Sequence, residues 1–165
     1  MTIKTLKDLF IHDLSDVYSA EKQMAKALPK MARAAEDPKL VEAFKLHLEE
    51  TQGQIERLDK IIESTPDLRL KRMKCMAMEG LVEEGQEIID SVEKGPVRDS
   101  GLIGAAQKVE HYEIASYGTL CALAEKLGYT EAKKLLGETL QEEKSTDEKL
   151  TLIASQQASL ETVSK

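Results

Sequence analysis

Apolar residues recur at seven-residue intervals through runs of about thirty residues, and this periodicity points to a bundle of long helices. In the first run Leu14, Leu28 and Ala35 share one row, and Phe10, Val17, Met24 and Met31 share the next. Breakers divide the chain. A first helix is expected from about Thr5 to Ala35, ending ahead of Asp37-Pro38, because the residue before a proline is pushed out of the α region. Asp37 as N-cap and Pro38 in the first turn open a second helix, which runs to about Glu63 before Ser64-Thr65-Pro66-Asp67. A third spans about Leu70 to Glu93 and stops at Lys94-Gly95-Pro96. The fourth runs from about Val97 to Leu127 with Gly128 as its C-cap; Thr130 caps the fifth, which continues to about Ser159. No segment alternates with a two-residue period for long enough to suggest a strand. The expected fold is all-α: an antiparallel four-helix bundle with one shorter helix between its two hairpins. Residues 1–160 form a single domain on this reading, and 161–165 a frayed tail.

Charge and composition exclude several classes of function. A net charge of −7 argues against coating nucleic acid, which needs clustered Lys and Arg. The basic run Lys71-Arg72-Lys74 reads as a solvated face. No apolar run approaches the roughly 20 residues that span a bilayer. The N-terminus, MTIKTLKDLFIHDLSD, lacks the apolar stretch of a signal peptide, so a cytoplasmic location is expected. Cys75 and Cys121 have neither metal-type nor redox-type spacing and read as free, half-buried thiols. No nucleophilic triad or phosphate loop is visible, and the Gly-x-x-Gly of Gly101 to Gly104, without a preceding strand, carries no nucleotide signal.

The core rows carry the functional signal. Glu21 occupies the Leu14 row, Glu113 stands between Ala106 and Leu120, and Glu143 stands between Leu136 and Leu150. Each of these three glutamates is flanked, seven residues either way, by apolar residues. The second helix interrupts its apolar face at His47, Thr51 and Gln54, with Glu50 on the flank of that patch. An unpaired buried carboxylate takes up a proton or acquires a partner. Several converging in one core repel each other, and a bound cation is the usual remedy. Spacing adds a second argument: Glu21 precedes Glu50 by 29 residues and Glu113 precedes Glu143 by 30, so two hairpins would repeat one arrangement. The candidate metal ligands are therefore Glu21, Glu50, Glu113 and Glu143, with His47, Glu110 and Asp147 as secondary candidates one helical turn from them. His111, two residues before Glu113, points to another face. The competing reading pairs the glutamates with lysine, arginine or tyrosine (Tyr18, Tyr112 and Tyr117 are near) within the bundle or at an interface.

The stretches SDVYSAEKQMAKALPKMARAA, HLEETQGQIERL, KRMKCMAMEGLVEEGQEII, AAQKVEHYEIASYGTL and LLGETLQEEKSTDEKL resemble the YciF-like bacterial stress proteins. That family belongs to the ferritin-like group and is related in fold to rubrerythrin and manganese catalase. The resemblance implies a ferritin-like bundle, a homodimer, induction under stress and a candidate site for Fe or Mn. The chain departs from the ferritin pattern where two helices should carry Glu-x-x-His. Gly53 stands three residues after Glu50 and Thr146 three after Glu143, which puts oxidase, catalase and ferroxidase chemistry in doubt. An oxygen-rich donor set also suits Mg or Ca. The leading expectation is a stress protein with a metal site that is vestigial and without turnover. Its alternatives are a di-metal oxidoreductase acting on peroxide, oxygen or iron, and a metal-free structural or interaction dimer. No membrane or nucleic-acid partner is expected.

Overall fold

A computed structural model describes residues 2–161. All regular structure among them is helical: α1 (Leu6–Ala34), α2 (Pro38–Ser64), α3 (Met76–Ser91), α4 (Pro96–Leu127) and α5 (Thr130–Glu161). The caps follow from residue chemistry. Thr5 and Asp8 form a reciprocal capping box at the start of α1, and Asp37 accepts from the Lys39 N–H ahead of α2. Gly128 closes α4 at φ 73°, where its N–H and that of Tyr129 turn back to the Glu125 and Ala124 carbonyls. Thr130 is the first residue of α5, and not its cap; the Lys133 N–H bonds to the Tyr129 carbonyl instead. α1 continues through Pro29, and burial of Ala27, Leu28 and Met31 around it offsets the lost hydrogen bond. Glu161 belongs to α5, and residues 162–165, most of the expected tail, lie outside the described residues.

One element differs from expectation. The third helix starts at Met76, six residues later than its apolar pattern suggests. The reason lies on α1, where Ser15, Ser19 and Gln23 form a ladder at four-residue spacing. Ser15 accepts from the Lys71 N–H (2.9 Å), Ser19 accepts from the Cys75 N–H (2.9 Å), and Gln23 donates to the Cys75 carbonyl (3.1 Å). These side chains hold residues 71–75 extended along α1, so the segment has no need of helical hydrogen bonds. Cys75 then caps α3 through its sulfur.

The two hairpins, α1–α2 and α4–α5, pack with α1 against α4 and α2 against α5, and α3 lies along α1 and α4. This is the ferritin-like arrangement of a four-helix bundle with an added helix. Its apolar interior is split. One cluster is built around Met24, Leu28, Phe44, Met78 and Leu102, the other around Phe10, Leu14, Leu58, Tyr117 and Leu120. Each fully buried large side chain contributes about 1.5–3 kcal/mol. A belt of buried polar residues from all four long helices lies between the clusters.

Two further features fix the ends of the bundle. Asp99, buried in the first turn of α4, accepts from the backbone N–H of Glu36 and of Asp37, both at 2.8 Å. It ties the α1–α2 turn to the second hairpin. Gly101 lets α3 approach α4: a Cβ there would stand 2.8 Å from Ile88 Cγ2, whereas one at Gly104 would meet nothing within 4 Å. Gly101→Ala is therefore expected to lower unfolding free energy in urea by about 1–3 kcal/mol through overpacking. Gly104→Ala should raise it by up to about 1 kcal/mol through helix propensity.

Candidate metal centre

Each helix brings its polar residue to the belt because that residue replaces one apolar member of a core row. Glu21, Thr51, Gln54, Glu110, Glu113 and Glu143 are fully buried, and His47 is 2% exposed. One ligand-capable atom from each of His47, Glu110, Glu113 and Glu143 lies within 4.8 Å of all the others. His47 Nδ1 is 3.2 Å from Glu110 Oε1, and its Nε2 is 3.9 Å from Glu143 Oε2. Tyr117 donates its hydroxyl to Glu21 Oε1, and Gln54 donates its amide to Glu143 Oε1. Both oxygens of Glu110 and of Glu113, Oε2 of Glu21 and of Glu143, and Nε2 of His47 have no hydrogen-bond partner. Among the described residues no lysine or arginine pairs with any of these four glutamates.

Two carboxylates about 5 Å apart repel by roughly 3 kcal/mol at an effective dielectric constant near 20. A neutral hydrogen bond returns a net of about 1 kcal/mol. Tyr117 and Gln54 therefore cannot hold four charged carboxylates together. Burial, and then the charge of Glu143, push Glu21, Glu110 and Glu113 well above the usual carboxylate range. Burial also pushes the Tyr117 phenol up, keeping it a neutral donor, and lowers the His47 pKa, so the imidazole is neutral and free to ligate. Protons or a cation must fill the belt.

The proton alternative has a measurable sign. The folded, metal-free chain binds more carboxyl protons than the unfolded chain at any pH between the ordinary 4.5 and the raised values. Its stability therefore increases as pH falls through those raised values and is lost as pH rises through them. His47 opposes this below its ordinary 6.5, where only the unfolded chain takes up the proton. Three carboxyls outweigh one imidazole. In chelator, the melting temperature by circular dichroism is expected to be higher at about pH 5.5 than at about pH 8.

The other candidates are elsewhere. Glu50 is half-buried on the α2–α5 seam, where Thr146 donates to its Oε2 at 3.1 Å, and burial raises its pKa. Nearby, Arg57 bridges Glu138 (3.3 Å) and Glu142. Asp147 is half-buried, 3.2 Å from the exposed His111 and also bonded by Gln107. The structure thus gathers Glu113 and Glu143 with the secondary candidates His47 and Glu110; Glu21 feels the charge of Glu143 from α1 without joining that cluster, and Glu50 and Asp147 stand outside it. Glu110 carried the same signal as the leading three, since Ile103 and Tyr117 flank it at seven residues. Gln54 stood on the core row without an assigned partner.

Residues 5–162 match the family described as a domain of unknown function, DUF892. Protein YciF of Escherichia coli K12 is 65% identical over 154 residues, 93% of each chain. The crystal structure of that E. coli stress protein superimposes with a TM-score of 0.93 at 63% identity, covering 95% of this chain and 99% of that one. YcfI of Rhodopseudomonas palustris, proposed there to be a structural protein, gives a TM-score of 0.86 at 43% identity over 90% of this chain and 94% of its own.

Proposed function

This chain belongs to the YciF-like DUF892 family, and from that premise we propose that it is a stress-response protein whose core holds one divalent cation without catalytic turnover. One observation carries the reading: fully buried Glu110 and Glu113 have four oxygens that accept no hydrogen bond, and the neutral imidazole of His47 lies 3.2 Å from one of them. Glu110, Glu113, Glu143 and His47 would hold the ion, and Glu21 would add charge from α1. Carboxylate oxygens with one imidazole suit Mn or Fe(II), and Mg less well. A bound cation would supply positive charge and Lewis acidity at this point. The chain's own contribution is orientation: Gln54 fixes Glu143, Tyr117 fixes Glu21, and the apolar clusters on either side exclude water. Gly53 and Thr146, where a second pair of ligands would need histidine, favour one ion over two.

The test is metal analysis of protein purified without chelator, followed by melting curves with and without added Mn. About one equivalent of Mn or Fe is expected. At one hundred times Kd the ion stabilises by about 2.7 kcal/mol, which raises the melting temperature of a chain this long by roughly 5–10 °C. Absence of both bound metal and a shift in melting temperature would remove the reading. Two equivalents would favour a di-metal centre acting on oxygen, peroxide or iron.

A further inference from the structure

Two clefts remote from the polar belt meet on the outer face of α1. The first lies between α1, α3 and α4 and encloses about 200 Å³. Its walls are apolar: Met24 and Ala27 of α1, Val109 of α4, and Val82 and Ile89 of α3. Val82 and Ile89 remain half-buried because α3 faces the cleft with Gly85, where even a Cβ would approach nothing nearer than 3.9 Å. The second cleft, of about 480 Å³, runs between α1 and the extended segment 70–75. It is cationic, with Lys22, Lys26, Lys71 and Arg72 beside Tyr18, whose hydroxyl donates to Asp59. The clefts share Gln23 and Lys26 and so adjoin along α1 as one groove region, apolar at one end and basic at the other.

Two of these cations are uncommitted, while Lys71 is within electrostatic reach of Asp8. Lys26 and Arg72 have no hydrogen-bond or ion-pair partner among the described residues, and Lys22 rests over the Tyr18 ring, 4.9 Å from its centroid. In a chain of net charge −7, such a concentration of unpaired positive charge beside a partly open apolar cleft calls for a ligand that is both anionic and apolar. We propose that this groove binds a single-chain amphiphile with a phosphate-type head: the tail lies between α1, α3 and α4, and the head on Lys22, Lys26, Lys71 and Arg72. An apolar cavity of about 150 Å³ takes one benzene, so 200 Å³ holds part of one tail and has no room for a second beside it. The proposed occupant is a free monomer, and binding to a membrane surface instead is an outcome of the test. The site is independent of the metal reading.

The test is isothermal calorimetry of the whole protein, at its native metal content, with decyl phosphate below its micellar concentration. Saturable one-to-one binding is expected, with none for inorganic phosphate at the same concentration. Lys26→Glu and Arg72→Glu should each weaken binding at least about tenfold, and Lys126→Glu, far from the groove, should leave it unchanged. Gly85→Ala should weaken binding several-fold by narrowing the cleft without lowering the melting temperature. Three outcomes would overturn the proposal. They are equal affinity for phosphate alone, binding to anionic vesicles but not to monomer, and undiminished binding by Lys26→Glu or Gly85→Ala.

Discussion

Glu113→Gln is expected to stabilise the metal-free protein at about pH 8 by about 1–3 kcal/mol, and to abolish the rise in melting temperature that Mn produces. Glu113 is fully buried, neither of its oxygens has a partner, and the charges of Glu143, Glu21 and Glu110 all act against its ionisation. The amide has the same shape without the charge, so substitution relieves a repulsion of that order. Glutamine offers a weaker ligand, so the ion loses a donor at the same time. Opposite effects with and without metal distinguish a cation site from a structural network. In a network, removing one member leaves its partners orphaned and lowers stability under both conditions. Glu142→Gln is the control: its carboxylate pairs with Arg57 on the seam, so a change below about 1 kcal/mol and an intact metal response are expected. Loss of several kcal/mol by Glu113→Gln in chelator would sink the cation reading.

Asp99→Ala is expected to lower unfolding free energy by about 3–5 kcal/mol in urea, with little change in the slope. The carboxylate accepts two backbone N–H groups in a buried setting, each such charge-assisted bond contributing about 1.5–3 kcal/mol, and alanine orphans both donors. Asp99→Asn keeps one acceptor and turns its amide N–H toward a second donor, so about half that loss is expected. Asp90→Ala, which removes only an exposed bond from Gln86, should stay within about 0.5 kcal/mol of the parent. A loss below about 1 kcal/mol for Asp99→Ala would mean that water or a rearranged turn replaces the clip.

What the chain discloses by itself is what depends on local period. Glu21, Glu113 and Glu143 were legible because apolar neighbours seven residues away declare a core row, and all three are fully buried. Glu50, which rested on hairpin spacing, lies off the cluster, because equal rise along two arms sets a level in the bundle and not a facing direction. The start of α3 was illegible for a different reason. Its apolar pattern suits a helix from Leu70, but the partners that hold 71–75 extended are side chains more than fifty residues earlier. Asp99 was hidden likewise: an aspartate in the first turn of a helix reads as dipole compensation, and its two donors lie 62 and 63 residues away.

The polar belt sits at the join between the two hairpins, with Glu21 and His47 on one side and Glu110, Glu113 and Glu143 on the other. An ion held there would act as a rivet through both halves: they could not part until it left. The lifetime of the assembled chain would then follow the supply of free metal, through the same mass action that raises its melting temperature. Such a protein would register metal abundance in its own persistence, a role that needs no substrate and is available to a ferritin-like bundle that lacks both Glu-x-x-His histidines.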